Sequence, residues 1–125
     1  MLFRHSFSLF LFLSLFLLSC SKPRPDLPGI DKAAWTADKR ACAGTRETML
    51  PAIKASTQKL LSLSEVDLVA LLGRPDEEEL YKRNQKFYYY YVQPAAGCDK
   101  SITSNPLRLI IRFNAVGLAK EVTVE

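Results

Sequence analysis

The pattern of hydrophobic and polar positions changes period near the middle of the chain. Between residues 48 and 72, apolar residues recur at intervals of three and four, which is typical of amphipathic helices. Between residues 87 and 125 they form an aromatic run and then alternate with polar residues, which is typical of strands. The chain therefore predicts an α+β fold with its helices before its strands.

Two helices are predicted. The first spans about Thr48 to Leu61 and has Pro51 in its first turn, where the missing backbone N–H costs least. The second begins after Ser64, a capping residue, and ends at Gly73, which can adopt a left-handed conformation. Both helices are expected to turn an apolar face toward the strands.

Three strands are predicted, over residues 87–92, 107–113 and 118–125. The turn-like residues 114–117 join the last two strands, so these two are expected to form a hairpin. The predicted architecture is therefore two helices packed on a three-stranded antiparallel β-meander (α-α-β-β-β), preceded by a signal peptide and a tether.

The register of that hairpin can also be predicted. Pairing Phe113 with Leu118 places Leu109 opposite Val122 on the core face. The same register places Ile110 on the other face of the sheet.

The first nineteen residues are predicted to be a signal peptide. A basic start at Arg4 precedes an apolar run over residues 7–18, which is shorter than the roughly 20 residues needed to span a bilayer. The following Leu17-Leu18-Ser19-Cys20 resembles the lipobox of bacterial lipoproteins, in which the Cys becomes the acylated first residue. A plain signal peptide with an incidental Cys is the alternative.

Lipobox processing would leave residues 20–125 as the mature chain, without histidine, since His5 is the only one. Catalysis by a Ser-His-Asp or Cys-His arrangement and zinc binding through imidazole would then be excluded. The partner implied first is membrane lipid, through acylated (palmitate-type) Cys20. Ser21 stands where many inner-membrane lipoproteins have Asp, so the resemblance implies an outer-membrane lipoprotein of a Gram-negative cell, facing the periplasm.

Residues 20–31 are predicted to be the lipidated Cys and a Pro-rich tether, and residues 32–125 a single small domain. Proline fixes φ and removes a hydrogen-bond donor, so the tether is expected to be extended and to hold the domain up to roughly 30 Å from the bilayer.

Cys42 and Cys98 are predicted to form a structural disulfide, because two cysteines in an oxidising periplasm most simply pair. A redox couple is the alternative, but such couples usually form a Cys-x-x-Cys motif, with two residues between the cysteines.

Four consecutive tyrosines, residues 88–91, are the most unusual feature of the chain. Phe87, Tyr89 and Tyr91 are expected to face the helices. Tyr88 and Tyr90 would then lie on the opposite face of the sheet. Tyr and Arg dominate protein-binding hot spots. The predicted partner-binding residues are Tyr88, Tyr90, Arg108 and Arg112. The alternative is an aromatic strand that only stabilises the sheet.

Other chemistry finds little support. The acidic run 76–79 lacks the loop geometry of a calcium site and is expected to be a solvated surface. Ser101, Thr103 and Ser104 have no neighbouring base that would activate them as nucleophiles. The net charge of +4 comes from scattered residues, so no nucleic-acid partner is predicted. No enzyme activity, cofactor or metal is predicted.

The lipobox, residues 64–76, the tyrosine run and residues 113–122 together resemble the small outer-membrane lipoproteins of the BamE/SmpA (OmlA) type. This resemblance implies two helices on a three-stranded sheet and an accessory role in the machinery that inserts β-barrels into the outer membrane. The cysteine pair and the long connection over residues 93–106 depart from the pattern. The same small fold occurs in β-lactamase-inhibitor-like (BLIP-like) proteins, so a periplasmic inhibitor or ligand-binding domain is the alternative function.

Overall fold

The computed structural model describes residues 23–99 and 104–125. The predicted signal peptide, the lipid-anchor residue Cys20, and Ser101 and Thr103 lie outside the described residues.

Four α-helices and a short 3-10 turn form the first part of the domain. Their bounds are α1 Lys32–Ala37, the 3-10 turn Lys39–Ala41, α2 Thr45–Thr48, α3 Leu50–Leu60 and α4 Glu65–Leu72. The two longer helices, α3 and α4, confirm the two helices predicted from the sequence. Pro51 lies in the first turn of α3, as expected.

The ends of α4 follow from its sequence. The Ser64 side chain accepts a hydrogen bond from the Asp67 backbone N–H at 3.2 Å, which caps the helix start. Gly73 follows the last turn with φ 76°, and its N–H donates to the Val69 carbonyl at 2.8 Å. A side chain at Gly73 would also meet Thr36, since an added Cβ would lie 3.0 Å from the Thr36 methyl group.

Four strands form one antiparallel sheet in the order β1-β2-β3-β4. They are β1 Glu77–Tyr81, β2 Gln85–Tyr91, β3 Arg108–Phe113 and β4 Ala119–Val124, with a second 3-10 turn at Lys82–Asn84 between β1 and β2. The prediction of a three-stranded sheet is therefore wrong by one strand. β1 is an edge strand whose side chains are mostly exposed, so it needs no alternating apolar pattern and tolerates its carboxylates.

The predicted hairpin register is wrong by two residues. Leu109 lies opposite Val124, and Ile111 lies opposite Val122. The Asn114 carboxamide oxygen accepts hydrogen bonds from the backbone N–H groups of the turn, and a bulge interrupts the ladder between Arg112 and Phe113. Because the shift is an even number of residues, the predicted core face of both strands is kept.

The hydrophobic core lies between the helices and one face of the sheet. Its large, fully enclosed side chains come from α1, α3, α4, β2 and β3 and include Trp35, Ile53, Leu60, Leu68, Leu72, Tyr90, Leu109, Ile111 and Phe113. No helix of residues 23–99 and 104–125 packs on the other face of the sheet.

Residues 23–31 pack against the domain, which corrects the prediction of an extended tether for this part of the segment. Leu27 is buried in the core cluster, and the Arg24 guanidinium pairs with the Asp67 carboxylate at 2.9 Å. The Lys59 ammonium donates to the Asp26 carbonyl at 3.3 Å. The proline-rich composition predicts an extended backbone, but the buried Leu27 together with these polar contacts docks the segment on the domain.

The predicted disulfide between Cys42 and Cys98 is confirmed. It fastens the connection that follows β2 to the loop between α1 and α2. None of the helices within the described residues is long and apolar enough to cross a membrane.

Candidate functional site

The predicted parity of the tyrosine run is wrong. Tyr88 and Tyr90 face the helices and are 5% and 0% exposed. The Tyr90 hydroxyl donates to the Gly73 carbonyl at 2.8 Å, and the Tyr88 hydroxyl donates to the Glu65 carboxylate at 2.9 Å. Burial is the first cause that raises the pKa of both phenols.

Packing against two core aromatics explains this orientation. The Tyr90 ring lies 6.3 Å from the Trp35 ring, and the Tyr88 ring meets Phe113 edge-on at 4.7 Å. Val92, which has the same parity, is also fully buried. Val92 is the residue of the sequence that indicates the correct parity, because valine is fully buried more often than tyrosine, which carries a hydroxyl group.

Of the four predicted partner-binding residues, Arg108 and Arg112 lie on the face of the sheet turned away from the described helices, whereas Tyr88 and Tyr90 do not. The sequence reasoning missed the aromatic residues that lie beside these arginines. We define the open face as Phe87, Tyr89, Arg108, Ile110 and Arg112, whose side chains are all half-buried.

Aromatic stacking and an arginine organise the open face. The Phe87 and Tyr89 rings stack with centroids 6.0 Å apart and planes within 5° of parallel. The Arg108 guanidinium carbon lies 4.3 Å from the centroid of the Tyr89 ring, within cation–π distance. The Tyr89 hydroxyl donates to Glu79 at 2.7 Å. Burial, followed by this hydrogen bond, raises the pKa of Tyr89 to about 12.

The two arginines of the open face differ in their partners. Arg112 donates to one Glu121 carboxylate oxygen from Nε and Nη2 at 3.3 and 2.9 Å, and to Gln85 from Nη1 at 3.1 Å. No carboxylate of the described residues lies within ion-pair distance of Arg108. The open face therefore offers an aromatic surface next to the Arg108 guanidinium, which can form an ion pair with a carboxylate of a binding partner.

A buried ion pair holds the edge of this surface in place. The Arg46 and Asp76 side chains are 2% and 4% exposed, and Arg46 Nη1 donates to Asp76 Oδ2 at 2.6 Å. Arg46 also donates to the Trp35 carbonyl at 2.9 Å and to the Tyr91 carbonyl at 3.1 Å. The second Asp76 oxygen accepts from the Arg40 backbone N–H at 2.9 Å.

A cleft of about 470 Å³ opens above this ion pair. Lys39, Arg40 and Arg74 line its rim, and Arg46 and Asp76 lie at its base. Within residues 23–99 and 104–125, no group of three or more His, Cys, Asp or Glu side chains is placed to hold a metal ion.

The chain matches no protein-family model, and comparisons with curated proteins and with solved structures find no significant match. The resemblance to the BamE/SmpA type therefore stays a prediction made from the motifs of the sequence.

Proposed function

We propose that this protein is a lipid-anchored, periplasmic protein-interaction module that binds another envelope protein through the open face of its sheet. The observation that carries the proposal is the half-buried aromatic and arginine surface of Phe87, Tyr89 and Arg108, on the face of the sheet turned away from the described helices. Aromatic and arginine side chains are the residue types that most often dominate binding energy in interfaces.

The partner is expected to present an apolar segment with a nearby carboxylate. The Arg108 guanidinium lies over the Tyr89 ring and has no carboxylate partner among the described residues, so an incoming carboxylate would form an ion pair with it. The stacked Phe87 and Tyr89 rings would bury against the apolar part of the same segment. Both rings are held by neighbours before binding, which lowers the entropy lost on association.

Envelope location is supported by the lipobox-like motif that ends at Cys20 and by the Cys42–Cys98 disulfide, which suits an oxidising compartment. The resemblance to the BamE/SmpA type makes components of β-barrel assembly the first partners to test. In this proposal the protein is an accessory factor without catalytic activity.

Co-purification tests this function. The full chain, tagged at its carboxyl end, is recovered from mildly solubilised envelopes as wild type and as Tyr89→Ala, Arg108→Ala and Arg74→Ala variants. Arg74→Ala is the matched control, since Arg74 is an exposed arginine on the rim of the cleft rather than on the open face. The wild type and the control should recover the same specific envelope protein, and the two open-face variants should lose it. Thermal unfolding of each variant checks that the fold is kept.

Two results would contradict the proposal. Either no envelope protein is recovered by the wild type, or the open-face variants recover it as well as the control does. The second result would favour the inhibitor or ligand-binding alternative, which uses the connection after β2. The disulfide at Cys98 and the hydrogen bond from the Ala95 N–H to the Arg40 carbonyl at 3.1 Å hold the first part of that connection.

A further inference from the structure

Both hairpin turns lie at one end of the sheet, here named the turn end and comprising residues 80–86 and 113–118. Leu80 pairs with Lys86, Lys86 pairs with Phe113, and Phe113 pairs with Ala119, so one row of residues crosses all four strands. The turns Lys82–Asn84 and 114–117 extend beyond this row. The start of α4 lies beside them, because Ser64 forms a β-bridge with Leu118.

Exposed apolar side chains concentrate at the turn end. Five large hydrophobic side chains are exposed among the described residues. All five lie on the two turns, next to these turns, or in the first turn of α4. Leu80 and Val116 are 80% and 77% exposed. The full set is Val66, Leu80, Tyr81, Val116 and Leu118. Apolar residues scattered singly over a surface need no explanation, but their collection at one end indicates a contact surface.

The chain that leads from Cys20 reaches the domain at this same end. Pro23 and Pro25 line a cleft together with Ser64 and Leu118, and Arg24 is ion-paired with Asp67 of α4. Three peptide steps separate Cys20 from Pro23, and extended chain spans at most about 3.6 Å per residue. A lipid on Cys20 would therefore begin within about 11 Å of Pro23.

The charges at the turn end suit a headgroup region. Two carboxylates at the start of α4, beside the turn end, are already paired, Glu65 with Lys86 at 2.7 Å and Asp67 with Arg24 at 2.9 Å. The hydrogen bond from Lys86 is the main cause that lowers the pKa of Glu65, and that from Arg24 lowers the pKa of Asp67. No carboxylate of the described residues lies within ion-pair distance of Lys82 or Arg83 in the β1–β2 turn.

We propose that the turn end rests on the lipid bilayer, with Leu80, Val116 and Leu118 entering the interface and Lys82 and Arg83 at the level of the phosphates. This inference rests on the proposed function, because the acyl group on Cys20 supplies the anchoring. The docked segment 23–31 then acts as a short strap that fixes the orientation of the domain. The strands stand steeply on the membrane, and the open face points sideways, toward proteins in the same membrane.

Relaxation of methyl signals by a nitroxide lipid tests the orientation. The isolated lipoprotein is placed in phosphatidylcholine nanodiscs that contain a headgroup-labelled nitroxide lipid, and NMR signals of its methyl groups are measured. Val66, Leu80, Val116 and Leu118 should lose most of their intensity. Leu107, whose carbonyl is bound by the Val92 N–H at the opposite end, should keep its signal, because a strand of this length separates the two ends by about 20 Å.

Two variants sharpen the result. Val116→Asp places a charge in the contact surface, so the turn end should lose most of its relaxation enhancement relative to wild type. Thr123→Asp adds the same charge on β4, away from the turns, and should leave the enhancement unchanged. Equal enhancement at Leu107 and at the turn end, or a larger one at Leu107, would overturn the proposed orientation.

Failure of the anchor is distinguished from failure of the orientation by the mass of the amino-terminal peptide. If residue 20 carries no acyl group, the lipid-anchor part of the proposed function is wrong. The same protein is then coupled through the Cys20 thiol to a maleimide lipid, since Cys42 and Cys98 are joined to each other. The nitroxide measurement on that conjugate supports or overturns the orientation by the same criterion.

Discussion

The buried ion pair between Arg46 and Asp76 allows a quantitative prediction. Asp76 Oδ2 accepts from Arg46 Nη1 at 2.6 Å and from the Tyr91 N–H at 2.8 Å, and Oδ1 accepts from the Arg40 N–H at 2.9 Å. These donors come from the 3-10 turn Lys39–Ala41, from α2 and from the end of β2. Asp76 thus joins parts of the fold that are 30 and 15 residues away in sequence.

Replacing Arg46 with Met should lower the free energy of unfolding by about 3–5 kcal/mol, because it leaves the Asp76 carboxylate buried without its counter-charge. Replacing the other partner, Asp76→Leu, should lower the free energy of unfolding by a similar amount. This change leaves the Arg46 guanidinium unpaired and removes the acceptor of two backbone N–H groups. With a urea m-value of about 1.5 kcal/mol/M, the unfolding midpoint should fall by about 2–3 M.

Urea unfolding followed by far-ultraviolet circular dichroism measures this change. The single Trp35 gives a second signal, and the Arg46 guanidinium carbon lies 4.7 Å from its ring centroid. Trp35 fluorescence therefore reports on the region of the ion pair. The fluorescence of the folded variant is expected to differ from that of the folded wild type, so only the unfolding midpoints are compared. Agreement of the two midpoints shows that unfolding remains a single transition.

The double variant and a surface control decide whether the reasoning is right. Arg46→Met with Asp76→Leu removes both charges, so its loss should be smaller than the sum of the single losses by at least about 1 kcal/mol. Arg112→Ala breaks an ion pair with Glu121 whose side chains are 28% and 55% exposed, and it should cost less than about 1 kcal/mol. A loss below about 1 kcal/mol for both single core variants would refute the structural role assigned to the pair.

Other expectations follow from the same structure. Replacing Cys42 and Cys98 with Ser should lower the free energy of unfolding by about 4 kcal/mol in the chain-entropy estimate for this separation of 56 residues, and reduced wild type should unfold at the same urea concentration as the variant. Leu27→Ala should cost about 2–3 kcal/mol in the same assay because the side chain is buried in the core, whereas an undocked tether would show no loss. Folding raises the pKa of Tyr89 from 10.0 to about 12, so the folded chain keeps a proton that the unfolded chain releases in this range. Stability should therefore fall as pH rises from 10 through about 12, and phenolate absorbance should appear at higher pH in the folded protein than in denaturant; identical titrations would contradict the burial of this ring.

Much of the local structure could be predicted from short stretches of sequence. The start and end of α4 depend on Ser64 and Gly73, which act within a few residues of themselves. The position of α3 depends on Pro51 and the apolar spacing that follows it. The disulfide could be predicted because Cys42 and Cys98 are the only cysteines left once Cys20 is assigned to the lipid anchor.

The candidate site could be predicted only in part. Arg108 and Arg112 were placed on the correct face because Leu109 and Ile111 alternate with them and must be buried. Residues 88–91 themselves offer no such contrast, since both sets of alternating positions are aromatic, and only the following Val92 indicates which set is buried.

What the sequence by itself determined are the interactions of residues close along the chain: the helix caps, the helical spacing, and the faces of the alternating strand. Tertiary structure decided the rest. Packing against the helices determines that Tyr88 and Tyr90 are buried. Backbone pairing with β2 makes the acidic segment β1 an edge strand. Burial in the core docks Leu27. In each case the competing arrangements are alike locally, and they differ in free energy only through contacts with segments far away in the chain.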